Sequence, residues 1–201
     1  MRKGILLYGG GLDSTAVLMH LANEPDLELT ALHIDYGQVA FKREQDACLF
    51  WCGKYAVPYA TVEMDLRRVC PDTSIVGGIG PDVMDGRNIV LMSVAAMWAV
   101  ARNISTIYVG FHAEPPGHPF PDATEVSVDI MQLVFDNLLL GDVQVEAPFL
   151  DEERVDIAAR AFKKDPQFFS HTHTCYANVK GGCGTCAHCV KKAEFEKQVR
   201  G

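Results

Sequence analysis

The chain has 201 residues, 48% of them apolar and 22% charged. That composition belongs to a globular chain that can bury a core without disulfides, and it excludes wholesale disorder. Lys and Arg number 18 against 26 Asp and Glu, a net charge of −8, which weighs against general nucleic-acid binding because phosphate contacts need a basic surface.

Short apolar runs alternate with longer amphipathic ones. Residues 4–8 (GILLY) read as a buried strand, 14–22 as a helix, 29–34 as a second strand and 40–55 as a second helix. A third strand at 59–64 and a strong buried helix at 88–102 follow, then a strand at 106–110, a helix at 124–139, a strand at 143–147 and a helix at 152–162. Strands alternating with helices imply parallel pairing through right-handed crossovers, hence an α/β fold: a parallel twisted sheet flanked by helices, with ligands beyond the carboxyl ends of the strands. Two stretches break the pattern, a glycine-rich one at 67–86 and one at 111–122 that holds Pro115, Pro116, Pro119 and Pro121 with His112 and His118. Both follow strands, where such folds place functional loops. The longest mostly apolar stretch, 89–101, is too short to span a bilayer, and the N-terminus lacks the apolar core of a secretory signal, so a cytoplasmic protein without membrane partners is expected.

The first chemistry lies at Tyr8-Gly9-Gly10-Gly11-Leu12-Asp13-Ser14-Thr15, between the first strand and the first helix. Backbone without Cβ atoms can turn tightly and press its N–H groups against an anion, and the following helix adds free donors and the positive end of its dipole. Asp13 or Ser14 can cap that helix, and the Ser14 and Thr15 hydroxyls are within reach of a phosphate. Three consecutive glycines exceed what an ordinary strand-to-helix turn needs. No Gly-Lys-Ser/Thr follows, so the loop is not of the kinase type.

The second lies near the end. Of seven cysteines, four cluster as Cys175-x7-Cys183-x2-Cys186-x2-Cys189. Four thiolates at that spacing, with glycines to let the chain wrap, fit a closed structural Zn²⁺ knuckle better than a redox thiol or iron–sulfur site. The domain division expected is therefore 1–169 for the α/β body and 170–201 for the zinc segment. Cys48 and Cys52, four apart on one helix face, read as core thiols, Met92 and Trp98 as core, and His33 as a core histidine with its hydrogen bonds met.

Gly9-Gly10-Gly11-Leu12-Asp13-Ser14 resembles the PP-loop of ATP pyrophosphatases, Ser-Gly-Gly-x-Asp-Ser, and departs from it where Gly9 stands for Ser. With the C-terminal knuckle, Asp35-Tyr36-Gly37-Gln38, Gly86-Arg87-Asn88, Phe120-Pro121-Asp122 and Thr174-Cys175-Tyr176, the chain resembles the 7-cyano-7-deazaguanine synthase family over almost its whole length. The resemblance implies an enzyme that spends Mg²⁺-bound ATP to adenylate 7-carboxy-7-deazaguanine, takes up ammonia to form an amide, and spends a second ATP to reach the nitrile; it also implies a homodimer. Carried onto this chain, it implies catalytic roles for Asp13, Ser14, Arg87 and Asp122, ATP contacts along residues 8–15, and substrate contacts at Tyr36, Gln38, Arg87, Asn88 and Asp122. Arg87 suits an anionic group, and Asp122 a guanine-like edge or Mg²⁺; each also has a plainer reading, as the start of a helix and as its cap. Departures fall near the chemistry: Ala123-Thr124 where the family has Cys-Arg, and Arg154-Val155-Asp156 where it has Lys-x-Glu. They leave open a paralogue that passes the activated acid to a protein amine, or a nucleotide-binding protein without turnover.

Overall fold

The structure is a computed structural model and describes residues 1–113, 121–139 and 143–201. Pro115, Pro116, His118, Pro119 and Phe120 of the proline-rich stretch lie outside the described residues.

Five parallel strands form the sheet: β1 (Arg2–Leu7), β2 (Leu27–Asp35), β3 (Tyr59–Glu63), β4 (Thr106–Tyr108) and a later strand, Gln144–Glu146, in the order β3-β2-β1-β4-(Gln144–Glu146). The chain steps outward from β1 on one side and returns to start again at β4 on the other. The strand order therefore reverses between β1 and β4, the point at which open α/β sheets place their ligands. Helices α1 (Leu12–Leu21), α2 (Phe41–Tyr55), α3 (Arg87–Val100) and α4 (Glu125–Val134) make the crossovers.

The pleat splits the core into two layers. Leu6 and Ala31 face α1 and α2, while Ile5 and Leu32 face α3 and α4. Both clusters are dense with fully buried apolar side chains, each contributing about 1.5–3 kcal/mol on removal from water. On the α3 side Ala95, Ala96 and Ala99 let the helix lie close to the strands. On the α1 side Trp51 is fully buried, and its indole N–H donates to the His171 carbonyl at 3.0 Å, joining α2 to the C-terminal segment.

Several expectations needed correction. The strand expected at 143–147 is β6 (Gln144–Glu146), and the helix expected at 124–139 ends at Val134, followed by a wider turn at Phe135–Leu139. A second, two-stranded sheet pairs β5 (His112–Ala113) with β7 (Phe149–Glu153), so the helix expected from 152 begins only at Arg154, as α5 (Arg154–Lys164). The C-terminal segment also contains α6 (Ala187–Arg200), which opens inside the cysteine cluster. Phe195 seats that segment in the same apolar cluster as α1, together with Phe168 and Phe169 just before it. Cys48 and Cys52 are buried, and burial pushes both thiols up, Cys52 to about 12, which leaves them inert.

Candidate active site

A cavity of about 310 Å³ opens beyond the carboxyl ends of β1, β2 and β4, within the size range of small-ligand sites. Gly9, Gly11, Asp13 and Ser14 line one wall. The loop they belong to is fixed from behind. Gly10 sits at φ +68°, and a Cβ there would meet the Glu44 carbonyl oxygen at 2.8 Å, so only glycine fits. Gly110, just past β4, approaches so closely that its Cβ would lie 2.8 Å from the Ser14 nitrogen. The start of α1 is thereby wedged against the end of β4, and its first turn, where backbone N–H groups have no partner within the helix, lines the cavity.

The loop's side chains divide. Gly11, not Asp13 or Ser14, occupies the cap position of α1, and no side chain caps it. Ser14 lines the cavity, whereas Thr15 is fully buried with its hydroxyl 3.1 Å from the Tyr8 hydroxyl. Asp13 is gripped by Arg154, the first residue of α5, through Nε to Oδ1 at 2.8 Å and Nη2 to Oδ2 at 2.7 Å. His112 Nε2 stands 3.8 Å from Asp13 Oδ1. The pairing of β5 with β7 sets both side chains against the loop carboxylate.

Arg87 enters from the start of α3. Burial works against its charge, but the Tyr36 and Tyr176 phenols beside it more than offset that, and its pKa lies above the usual guanidinium value. Its Nη1 donates to the Tyr36 hydroxyl at 3.3 Å. Asn88 also lines the cavity. Asp122 is buried, and its Oδ2 accepts from the Asn88 backbone N–H at 2.9 Å, which secures the first turn of α3. Gln38 lines the cavity, but its amide is used internally: Oε1 accepts from the Tyr36 N–H at 2.8 Å, and Nε2 donates to the Ile34 carbonyl at 3.1 Å and to Glu44 Oε2 at 2.9 Å. His33 is buried with its ring nitrogens 2.9 Å from the Tyr59 hydroxyl and 3.2 Å from Glu44 Oε2, as a core histidine with its bonds met should be, though it too reaches the cavity wall.

The C-terminal segment closes the other side. The His173 N–H donates to the Gly10 carbonyl at 2.9 Å, and His173, Thr174, Tyr176 and His188 line the cavity. Burial lowers the pKa of both His173 and His188. His188 contacts Asp82 of the glycine-rich stretch at 3.5 Å and packs on the Tyr176 ring at 4.4 Å. The sequence assigned no site role to Glu44, His112, Arg154, Thr174 or Tyr176, and it pointed to His173 and His188 only as histidines near the cysteine cluster or on the surface. Thr174, Tyr176 and Arg154 did stand in motifs that carried a signal.

The sulfurs of Cys175, Cys183, Cys186 and Cys189 all lie within 4.8 Å of one another. Two of the separations, Cys183–Cys189 and Cys175–Cys186, are 3.9 Å. Four ligands at about 2.3 Å around one tetrahedral ion stand about 3.8 Å apart, so the cluster fits a single metal ion. Backbone N–H groups of Ala177 and Cys183 point at the Cys175 sulfur and that of Cys186 at the Cys183 sulfur, at 3.3–3.4 Å. Such donors stabilise thiolates, and the Cys183 thiol is pushed down to about 5, chiefly by backbone hydrogen bonds from Thr185 and Cys186. Burial pushes Cys175 and Cys186 up, and a bound cation would reverse that.

A glycine loop at the switch point of a parallel sheet is the arrangement of the PP-loop class of folds. Solved structures agree on the fold. A U34-tRNA thiolase from Methanococcus maripaludis superposes with a TM-score of 0.55 at 14% identity, covering 99% of this chain and 66% of its own. A 4-thiouridine synthetase–RNA complex with bound ATP gives 0.50 at 14%, covering 99% and 50%. Sequence relatives are more specific. Residues 3–198 match the model of the family described as queuosine biosynthesis protein QueC. The 7-cyano-7-deazaguanine synthase of Caldicellulosiruptor bescii is 27% identical over 98% of this chain and 93% of its own; that of Marinobacter nauticus is 29% identical over 94% and 90%. The chain belongs to the QueC family, a divergent member of it, and is an ATP-dependent ligase by that membership.

Proposed function

We propose that the protein adenylates the carboxylate of 7-carboxy-7-deazaguanine with Mg²⁺-ATP and ligates ammonia to it, giving first the amide and then 7-cyano-7-deazaguanine. One observation carries the reading: the glycine loop and Thr174 and Tyr176 of the C-terminal segment, some 160 positions apart in the chain, line one cavity at the switch point.

In the first half-reaction a carboxylate oxygen attacks the α-phosphorus and pyrophosphate leaves. Ammonia then attacks the acyl carbon and loses a proton as AMP departs. In the second, the amide oxygen attacks a second ATP, pyrophosphate leaves again, and loss of two N–H protons and of AMP gives the nitrile. The loop N–H groups and the start of α1 are suited to the phosphates, with Ser14 as a hydroxyl donor. Arg87, half-buried and permanently charged, supplies a cation for the substrate carboxylate or the phosphates. Asp13, oriented by Arg154, is the loop's own carboxylate and would hold Mg²⁺, which when bound neutralises phosphate charge. The four-cysteine ion is Zn²⁺ in this reading. It supplies no chemistry and holds Tyr176 and His188 in the wall. Asp122 acts by holding Asn88 and Arg87 at the start of α3.

The protein is further read as a homodimer. Val126, Ile130 and Leu133 form one stripe along α4 and are each more than half exposed, as is Met97 on the neighbouring α3. Exposed apolar side chains of that kind, on helices that cover the same face of the sheet, suit a second copy of the chain. Ile130→Asp is expected to give monomers by sedimentation; an unaltered distribution would refute this face. No helix among the described residues is long and apolar enough to cross a membrane.

ATP–pyrophosphate exchange tests the first half-reaction without a nitrogen donor. Exchange that depends on the deazaguanine acid supports the reading. Its absence in folded, zinc-loaded protein that still binds ATP would favour a nucleotide-binding role. Exchange without amide formation from ammonium would favour transfer to a protein amine.

A further inference from the structure

Between the ends of β1 and β2 the cavity wall is polar in a way that phosphate chemistry does not use. Glu44, in the first turn of α2, has a side chain only 15% exposed and lines the cavity. The two donors that reach it, His33 Nε2 and Gln38 Nε2, converge on the same oxygen, Oε2. Both donors are held in turn, His33 by the Tyr59 hydroxyl and Gln38 by the Tyr36 N–H and the Ile34 carbonyl. His173 reaches the same corner: its backbone N–H donates to the Gly10 carbonyl, and Gly10 lies against the Glu44 backbone. His173 Nε2 and Thr174 Oγ1 are buried with no hydrogen-bond partner among the described residues, and both residues line the same cavity.

Buried polar atoms are nearly always paired, so two orphans in one wall beside a carboxylate need a reason. An ionised carboxylate is a pure acceptor. It repels a phosphate or a substrate carboxylate and suits an N–H donor edge. A hydroxyl beside it accepts or donates as required. Tyr36, buried at the same end, gives an aromatic wall.

We propose that Glu44, with Thr174 and His173, forms the subsite that reads the amino-bearing edge of a purine-like base. The proposal rests on the reading above that this cavity takes ATP and a deazapurine acid. That edge comes either from the 6-amino group of adenine or from the 2-amino and N1–H pair of the deazaguanine. A site built to bond such a group rejects an analogue lacking it, because the carboxylate is then left unmet.

The test is binding calorimetry on the full, zinc-loaded chain with two ligand pairs: ATP against purine riboside triphosphate, which lacks the 6-amino group, and 7-carboxy-7-deazaguanine against its analogue lacking the 2-amino group. The unaltered protein is expected to prefer the amino-bearing member of one pair by roughly tenfold or more, and Glu44→Gln to collapse that ratio. The pair that responds identifies the base. Thr174→Val removes a hydroxyl that holds nothing in the fold, so it serves even if Glu44→Gln unfolds α2, and it is expected to reduce the same ratio. Two results would overturn the proposal: no preference in either pair, or preferences that survive both substitutions. Intact base discrimination without acid-dependent pyrophosphate exchange would refute the reaction and leave the subsite standing.

Discussion

Gly9 is the family departure closest to the phosphates, and nothing in the fold demands it. Its backbone is not in the left-handed region, and a Cβ built on it meets nothing within 4 Å. Gly9→Ser therefore fits without strain, and its hydroxyl enters the cavity that Gly9 lines. A hydrogen bond to a charged group contributes about 1.5–3 kcal/mol. At about 1.4 kcal/mol per decade this is roughly a 10- to 150-fold gain in kcat/KM for ATP in the exchange assay. A bond made equally to bound ATP and to the transition state lowers KM; one made only in the transition state raises kcat. Gly9→Ala is the control. It shares with Gly9→Ser the stiffening of the unfolded chain, about 0.4–1 kcal/mol of added stability, but carries no hydroxyl. If Gly9→Ser and Gly9→Ala have the same kcat/KM for ATP, the loop does not cradle phosphate in the manner argued.

Asp122→Asn keeps an oxygen that can accept from the Asn88 N–H and is expected to retain exchange within about threefold, whereas Asp122→Ala costs about 0.5–2 kcal/mol in thermal stability; abolition of activity by Asn with stability intact would make Asp122 a catalytic group. Arg154→Met leaves Asp13 without its two-bond partner and is expected to lower kcat roughly 10- to 100-fold, with partial rescue by Lys; full activity in the Met variant would refute the positioning role. Metal removal by a chelator is expected to raise hydrogen exchange across 174–192 and to weaken ATP binding in step, because Tyr176 and His188 line the cavity; loosening without loss of ATP affinity would separate the two. Asp165 titrates below the ordinary carboxylate value: burial alone would raise it, but Lys54 and the Gln167 N–H more than offset this. Its stabilising contribution is complete above about pH 4 and is lost as pH falls through the lowered folded value, so Asp165→Asn should lower Tm at pH 7 and have little effect near pH 2; an equal loss at both would contradict the assignment.

The sequence made the sheet legible because its strands are short apolar runs buried on both faces, and Ile5, Leu6, Ala31 and Leu32 alternate between two cores. The glycine loop and the cysteines were legible because their chemistry is local. What escaped was long-range or weakly patterned. β5 pairs with β7 over two register positions with an irregularity between them, too little to leave a period. α6 buries only Phe195, so its amphipathic signal is faint beside the metal ligands that open it. The Arg154–Asp13 pair spans 141 positions. Side-chain direction was equally out of reach: Thr15 was read toward phosphate and bonds Tyr8, while Gln38 was read toward the base and bonds its own turn. Glu44 gave no motif signal because its role depends on where α2 sets it behind Gly10.

The most direct measurement follows oxygen. 7-Carboxy-7-deazaguanine labelled with ¹⁸O in its carboxylate is incubated with the protein, Mg²⁺-ATP and ammonium, and AMP and the deazaguanine product are read by mass spectrometry. Each adenylylation carries one substrate oxygen away in AMP, so the account predicts two labelled AMP molecules for every nitrile formed. Unlabelled AMP, or no acid-dependent AMP from folded, zinc-loaded protein, would contradict it.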